Sequence, residues 1–117
     1  MNREVRDEWV RRLRSGEYTQ GLLTLYRSSL NEYCCLGVLC EVAREAGVVE
    51  RSVDGYRVDA LGAWYNGVLP PAVAEWAGLD DVDPVIRGVP LVYYNDGHGD
   101  VRRHDFTEIA RLIEENL

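Results

Sequence analysis

The three cysteines of the chain, Cys34, Cys35 and Cys40, lie within seven residues of one apolar run. Clustered cysteines can hold a metal ion, exchange disulfides or supply a nucleophilic thiolate. Zinc sites pair closely spaced cysteines with a second pair of ligands, and no such pair follows at a standard spacing. An odd number of cysteines does not suit a disulfide framework. We therefore predict reduced, mostly buried thiols, with no bound metal and no cofactor.

A thiol- or metal-dependent enzyme is the minor alternative. At a helix N-terminus the thiol of Cys34 would have a lowered pKa. His98 or His104 could then act as its general base. The same histidines, with Asp96 and Asp100 nearby, could also bind a metal ion.

A second set of residues indicates binding of a small anion. Asn95 and Asp96 end an apolar segment, where a short polar pair can point into a cleft. Arginine pairs with phosphate through two hydrogen bonds, and an aromatic face stacks on a base. No residue is assigned to catalysis. The predicted ligand-binding residues are Gln20, Arg27, Tyr33, Trp64, Tyr94, Asn95, Asp96, Arg102 and Arg103. A solvated charge run for the arginines and a hairpin hydrogen bond for Gln20 remain open alternatives.

Composition indicates one ordinary globular domain over 1–117, with 46% apolar and 28% charged residues. The formal charge of −7 disfavours direct binding to nucleic acid or to an anionic membrane. It either keeps the protein in solution or suits a basic protein partner. Neither a signal peptide nor a membrane span is recognisable. We therefore expect a cytoplasmic protein.

Apolar side chains at helical spacing predict the elements that carry these residues. The predicted helices cover residues 3–15, about 34–47, 71–76 and 106–116. In the second helix Glu41, Arg44 and Glu45 should face water, whereas Gly37 indicates that another backbone packs closely there. Extended segments are predicted around residues 17–26, 32–34 and 85–86, with a hairpin near residues 54–55 and a loop over 95–100. The predicted fold is α+β, with three or four short helices on a small, mostly antiparallel hairpin sheet.

The order of motifs resembles a family of small proteins encoded by tailed bacteriophages and prophages, especially those of actinobacteria. The resemblance covers nearly the whole chain, and its most specific element is the run Tyr33–Glu41. The motifs are Trp9…Leu13–Gly16-x-Tyr18-x-Gln20-Gly21, Tyr33–Glu41, Leu69–Pro71…Trp76–Leu79 and Asn95-Asp96…Phe106-x-Glu108–Ala110-x-x-Ile113-Glu114. The chain departs from the pattern at residues 97–104, which are longer and more basic. The resemblance implies a phage accessory gene and supplies no catalytic residues.

Two functions are expected from these observations. The first is a non-catalytic antagonist of host defence that sequesters a small anionic, nucleotide-derived signal. The alternative is an acidic protein that binds and inhibits a host enzyme. Because ligand-sequestering proteins of this size often build pockets between subunits, we also expect a homo-oligomer.

Overall fold

Five helices and seven short strands make up the computed structural model, which describes residues 1–117. The helices are α1 (Arg3–Arg14), α2 (Cys35–Glu45), α3 (Pro71–Ala77), α4 (Leu91–Asp96) and α5 (Phe106–Asn116). The strands are β1 (Thr19–Gln20), β2 (Tyr26–Arg27), β3 (Glu32–Tyr33), β4 (Glu50–Ser52), β5 (Gly55–Arg57), β6 (Val85–Ile86) and β7 (Val89–Pro90). None of the helices has both the length and the apolar character needed to cross a bilayer.

Helices α1, α2 and α5 form the centre of the core, as their apolar spacing predicts. Trp9 of α1 is fully buried, and its indole Nε1 donates to the carbonyl of Cys35 at the start of α2 over 2.9 Å. Ile109 and Ile113, one turn apart on α5, are fully buried as well. The polar atom of the largest core side chain is therefore paired, which a close-packed interior requires.

The strands form three small sheets. β3 is central in the first sheet, where it pairs with β2 antiparallel and with β1 parallel. β4 with β5 and β6 with β7 are antiparallel hairpins, each with a two-residue turn. The α+β class with mostly antiparallel pairing is thus confirmed, with five helices rather than three or four.

Gly37 lies where α2 meets the chain entering β2. A Cβ at this position would stand 1.8 Å from the carbonyl oxygen of Leu25. The same carbonyl accepts a hydrogen bond from the Cys34 backbone N–H over 3.3 Å. The predicted close approach of a second backbone is confirmed, because only a residue without a side chain fits this contact.

The segment around Asn95 differs from the predicted loop, since Leu91–Asp96 is helical and places Asn95 and Asp96 in its last turn. Its first turn has no side-chain N-cap, because Pro90 precedes it. Instead, Asp83 accepts from the Val92 N–H over 3.2 Å. Asp83 lies nine residues before Val92, so the residues next to α4 carry no recognisable helix-start signal.

Glu41 is buried at 4% exposure, so the prediction that it faces water is wrong. Its carboxylate accepts from Arg44 on the same helix over 2.9 Å and from Arg51 of β4 over 3.0 Å. The Tyr56 hydroxyl donates to it over 2.7 Å. The β4–β5 hairpin covers this face of α2, and its polar groups compensate the buried charge.

Candidate functional site

A groove of about 290 Å³ is built from three parts of the chain that are distant in sequence. The β6–β7 turn, the segment before α5 and one face of α5 contribute to it. The lining residues are Arg87, Arg102, His104, Glu108, Arg111, Leu112 and Glu115. Three arginines thus converge on a small surface of a chain whose formal charge is −7.

Helix α5 supplies more than half of the lining from one face. Glu108, Arg111, Leu112 and Glu115 follow the i, i+3, i+4, i+7 spacing that aligns side chains along a helix. Arg111 Nε donates to Glu115 Oε1 over 2.9 Å. The apolar stripe of α5 turns toward the core and leaves this charged face on the groove.

Arg87 reaches the groove from a strained turn. Its φ is +53° and that of Gly88 is +77°, so both central residues of the hairpin turn are left-handed, as in a type I′ turn. Such a turn favours Asn, Asp or Gly, and a larger side chain there costs about 1–3 kcal/mol. The Arg87 guanidinium donates to Glu115 over 3.4 Å. Strained residues of this kind concentrate at functional sites.

Arg102 is held by the residues that begin α5. Its Nη1 donates to Glu108 Oε1 over 3.2 Å. Glu108 also forms the capping box of the helix, accepting from the Asp105 N–H over 3.1 Å while its own N–H donates to Asp105 over 2.8 Å. The hydrogen bond from Arg102 and that from the Asp105 backbone lower the pKa of Glu108 to about 2. The carboxylate is therefore ionised throughout the neutral range.

Hydrogen bonds from α4 and β1 hold the backbone of His104 in place. The His104 N–H donates to the Tyr94 carbonyl over 2.7 Å, and the His104 carbonyl accepts from Gln20 Nε2 over 2.9 Å. Gln20 Nε2 also donates to Asn95 Oδ1 over 3.1 Å. The groove wall is thus tied to β1 and α4 by backbone and amide hydrogen bonds.

Asn95 is the centre of this support and is fully buried. Its Oδ1 also accepts from the Cys35 N–H over 3.0 Å, while its Nδ2 donates to the Gly21 carbonyl over 2.9 Å. Asp96 Oδ1 accepts from Asn95 Nδ2 over 2.8 Å. With all its polar atoms paired and no exposed surface, Asn95 supports the site from within the fold.

The nine predicted ligand-binding residues are therefore not gathered in one cavity, and only Arg102 lines a surface pocket. Gln20, Tyr94 and Asn95 lie behind the His104 segment of the groove wall, whereas Asp96 bonds Asn95 and the Leu23 N–H. Tyr94 is buried, and its hydroxyl donates to the Ile86 carbonyl over 2.8 Å. These contacts give Gln20, Tyr94 and Asn95 a supporting position behind the groove wall.

The remaining predicted residues lie outside the groove lining. Tyr33 is buried, and its ring centroid is 4.9 Å from that of Tyr26. The guanidinium of Arg57 covers the ring of Trp64 at 4.3 Å. Arg27 and Arg103 are exposed.

Arg87 and Arg111 were missed by the sequence reasoning. A partial signal for Arg87 was present, since Gly88 lies between the β-favouring residues Val85-Ile86 and Val89 and suits the second position of a two-residue hairpin turn. For Arg111, the sequence shows that it shares one helix face with Glu108 and Glu115. No local pattern indicates that the hairpin and the helix face each other.

The cysteine cluster lies apart from the groove. All three thiols are free and buried. Burial raises the pKa of Cys34 to about 12, against the lowering expected for a catalytic thiol at a helix N-terminus. No three His, Cys, Asp or Glu side chains are grouped so that they could hold a metal ion.

A comparison with family models finds one match over residues 1–117, described as a domain of unknown function, DUF8296. No curated protein and no solved structure matches the chain.

Proposed function

The chain belongs to the DUF8296 family along its whole length, and we propose that it is a phage protein that sequesters a small anionic ligand. The ligand is a nucleotide-derived signal of host defence, bound in the cytoplasm of the infected cell. The observation that carries the proposal is the convergence of Arg87, Arg102 and Arg111 on one groove.

The chemistry of these arginines supports an anionic ligand. Their side chains are 62%, 66% and 77% exposed, so each guanidinium can be reached from solvent. Guanidinium groups bind phosphate oxygens through paired hydrogen bonds. On a chain this acidic, a local group of cations directs an anion to one place.

The size and the rigidity of the groove support a small ligand. Its volume of about 290 Å³ lies just below the usual range for small-molecule sites. Leu112 offers an apolar contact beside the charged groups. The Gln20 and Asn95 network holds the wall in place, which reduces the ordering cost of binding.

The phage context rests on the resemblance of the Tyr33–Glu41 run and the motifs around it. A protein that removes a signal by binding it needs only affinity and abundance. The groove is suited to binding, and the buried thiols are poorly placed for nucleophilic chemistry.

Native mass spectrometry of the protein purified from cells with an active nucleotide-signalling defence tests the proposal. We expect a co-purifying nucleotide that high salt releases, because arginine–phosphate contacts weaken with ionic strength. The Arg111→Gln variant should carry less ligand at an unchanged melting temperature, since an exposed helix pair contributes little stability. Arg11→Gln, which removes a similar pair with Glu8 on α1, is the matched control. Protein that is free of nucleotide under these conditions contradicts the proposal.

A second candidate, inhibition of a host enzyme, is favoured by one observation. Leu23 is 72% exposed and has a φ of +71°, a conformation that is unusual for leucine. Its N–H donates to Asp96 over 3.1 Å, which fixes an apolar side chain toward solvent. A single exposed leucine is ordinary on a protein surface, so it is the unusual, hydrogen-bonded backbone of Leu23 that makes it a candidate contact for a protein partner.

The two candidates predict different effects of Leu23→Gly. Glycine relieves the backbone strain and removes the apolar anchor. If the chain inhibits an enzyme, this variant should lose a stoichiometric host protein in native mass spectrometry while remaining folded. If it sequesters a nucleotide, the variant should carry the nucleotide as the wild type does.

A further inference from the structure

We propose that the groove contains two separate anion subsites and that its ligand carries two phosphate groups held apart from each other. This inference rests on the proposed function and specifies the ligand class. It follows from where the two glutamates of the groove lie.

The first subsite is marked by Glu115. Its carboxylate lies between two guanidinium groups, with Arg111 Nε at 2.9 Å from one oxygen and Arg87 Nη2 at 3.4 Å from the other. Carboxylate and phosphate oxygens satisfy the same guanidinium geometry. A phosphate that replaces Glu115 would be bound from the hairpin and from the helix together.

The second subsite is marked by Glu108. Both terminal nitrogens of Arg102 donate to its two oxygens, in the fork arrangement that arginine also makes with phosphate. The Arg102 side chain is 66% exposed, so it can turn from the carboxylate to a ligand without unfolding the capping box. Nearby, His104 lines the same groove.

The distance between the subsites decides the ligand class. Glu108 and Glu115 are seven residues apart on α5, so their Cα atoms are separated by roughly 10 Å along the helix axis. The phosphorus atoms of a diphosphate are much closer together and cannot fill both subsites. A nucleoside phosphorylated at both ends, or a short linear dinucleotide, has phosphates at a suitable separation.

The glutamates also act as internal competitors of the ligand. Because a phosphate at the first subsite must displace Glu115, removing that carboxylate should strengthen binding. An exposed ion pair contributes up to about 1 kcal/mol, so Glu115→Gln should lower the dissociation constant by up to about fivefold.

Isothermal titration calorimetry at low ionic strength tests the inference with defined probes. The probes are orthophosphate, pyrophosphate, adenosine monophosphate, an adenosine bisphosphate with phosphates on both sides of the ribose, and a linear di-adenylate with a terminal phosphate. We expect one of the two separated-phosphate probes to bind at least about tenfold more tightly than the monophosphate, equal to about 1.4 kcal/mol. Pyrophosphate should show no comparable gain over orthophosphate.

Single arginine substitutions test whether each subsite binds one of the two phosphates. Arg87→Gln and Arg102→Gln should each reduce the affinity for the separated-phosphate probe to that of the monophosphate, because each removes one subsite. Arg11→Gln on α1 should bind as the wild type does. Loss of binding in Arg11→Gln would place the site between α1 and α5 and overturn the inference.

The remaining outcomes separate this inference from the proposed function. If every probe binds with similar affinity, or pyrophosphate binds as tightly as the separated phosphates, two subsites are ruled out and a single-anion groove remains. If no probe produces a binding heat, both this inference and the proposed sequestration of nucleotides are wrong.

Discussion

At the scale of single residues, Asn95 shows how a buried side chain can support a surface site that it does not line. Its amide joins β1, the Gly21 that follows it and the start of α2. Gln20 extends this network to the segment before α5 through its bond to the His104 carbonyl. A buried amide with this many partners contributes mainly by leaving no polar group unpaired. The residue therefore belongs to the stability of the groove wall.

Asn95→Ala should lower the free energy of unfolding by about 3 kcal/mol, because the Cys35 N–H and the Gly21 carbonyl lose their buried partner. Urea denaturation measures this. Asn116→Ala, at the exposed end of α5, is the control and should change stability by less than about 0.5 kcal/mol. An Asn95→Ala protein that unfolds like the wild type but no longer binds ligand would instead assign Asn95 to direct ligand contact.

The thiols should be inert in the folded protein. Cys34, Cys35 and Cys40 are at most 3% exposed, and burial raises the pKa of each. We expect an aromatic disulfide reagent to modify them only after denaturation. Cys40→Ser should cost ~1–3 kcal/mol, since it buries a hydroxyl without an assured partner. Rapid labelling of the native protein, or stoichiometric zinc in elemental analysis, would contradict this prediction.

At the scale of elements, α2 and the chain entering β2 are joined by the contact at Gly37. Gly37→Ala would place a methyl group 1.8 Å from the Leu25 carbonyl, so the two backbones must separate. We expect a loss of at least about 2 kcal/mol in unfolding free energy, measured by thermal and chemical denaturation. Gly67→Ala has open space around the added methyl group and serves as the control. Equal stability of the two variants would show that the two backbones can separate at Gly37 with little loss of stability.

The start of α5 should give the protein a small acid sensitivity, because the Arg102–Glu108 pair is exposed and solvent screens it. The pKa of Glu108 falls from 4.5 to about 2 on folding, so the folded state favours the ionised form and gains stability above the unfolded value. That stability is lost as the pH falls from about 4.5 toward 2. Melting temperatures of the wild type and Glu108→Gln should therefore differ at neutral pH and converge in acid. A constant difference across this range would show that the ion pair with Arg102 is not responsible.

At the scale of the whole molecule, the homo-oligomer stays a prediction, and the exposed apolar side chains are candidates for its interface. Leu23 is 72% and Leu61 99% exposed on a 13.3 kDa chain. We predict a homo-oligomer, with a dimer as the commonest symmetric form. Multi-angle light scattering at micromolar concentration measures this, and Leu61→Asp should shift any equilibrium toward the monomer. A wild-type mass of 13.3 kDa would exclude the oligomer under these conditions.

Local patterns of the sequence determined the fold class and most element positions. Trp9 and Leu13 mark the buried stripe of α1, and Asp105 with Glu108 marks the start of α5. Gly37 indicated the close backbone contact. These features were predictable because helical periodicity, capping and the absence of a side chain act over a few residues.

Only the tertiary structure decided which charged and polar groups meet. Gln20 and Asn95 are 75 residues apart when they hydrogen-bond, and Arg87 meets Glu115 across 28 residues. Glu41 is buried because a later hairpin covers it. The energy of such contacts depends on distance and burial after packing, which one-dimensional spacing does not encode. The sequence predicted Arg102 as a ligand-binding residue, and only the packing of the β6–β7 turn against α5 brings Arg87 and Arg111 to the same groove.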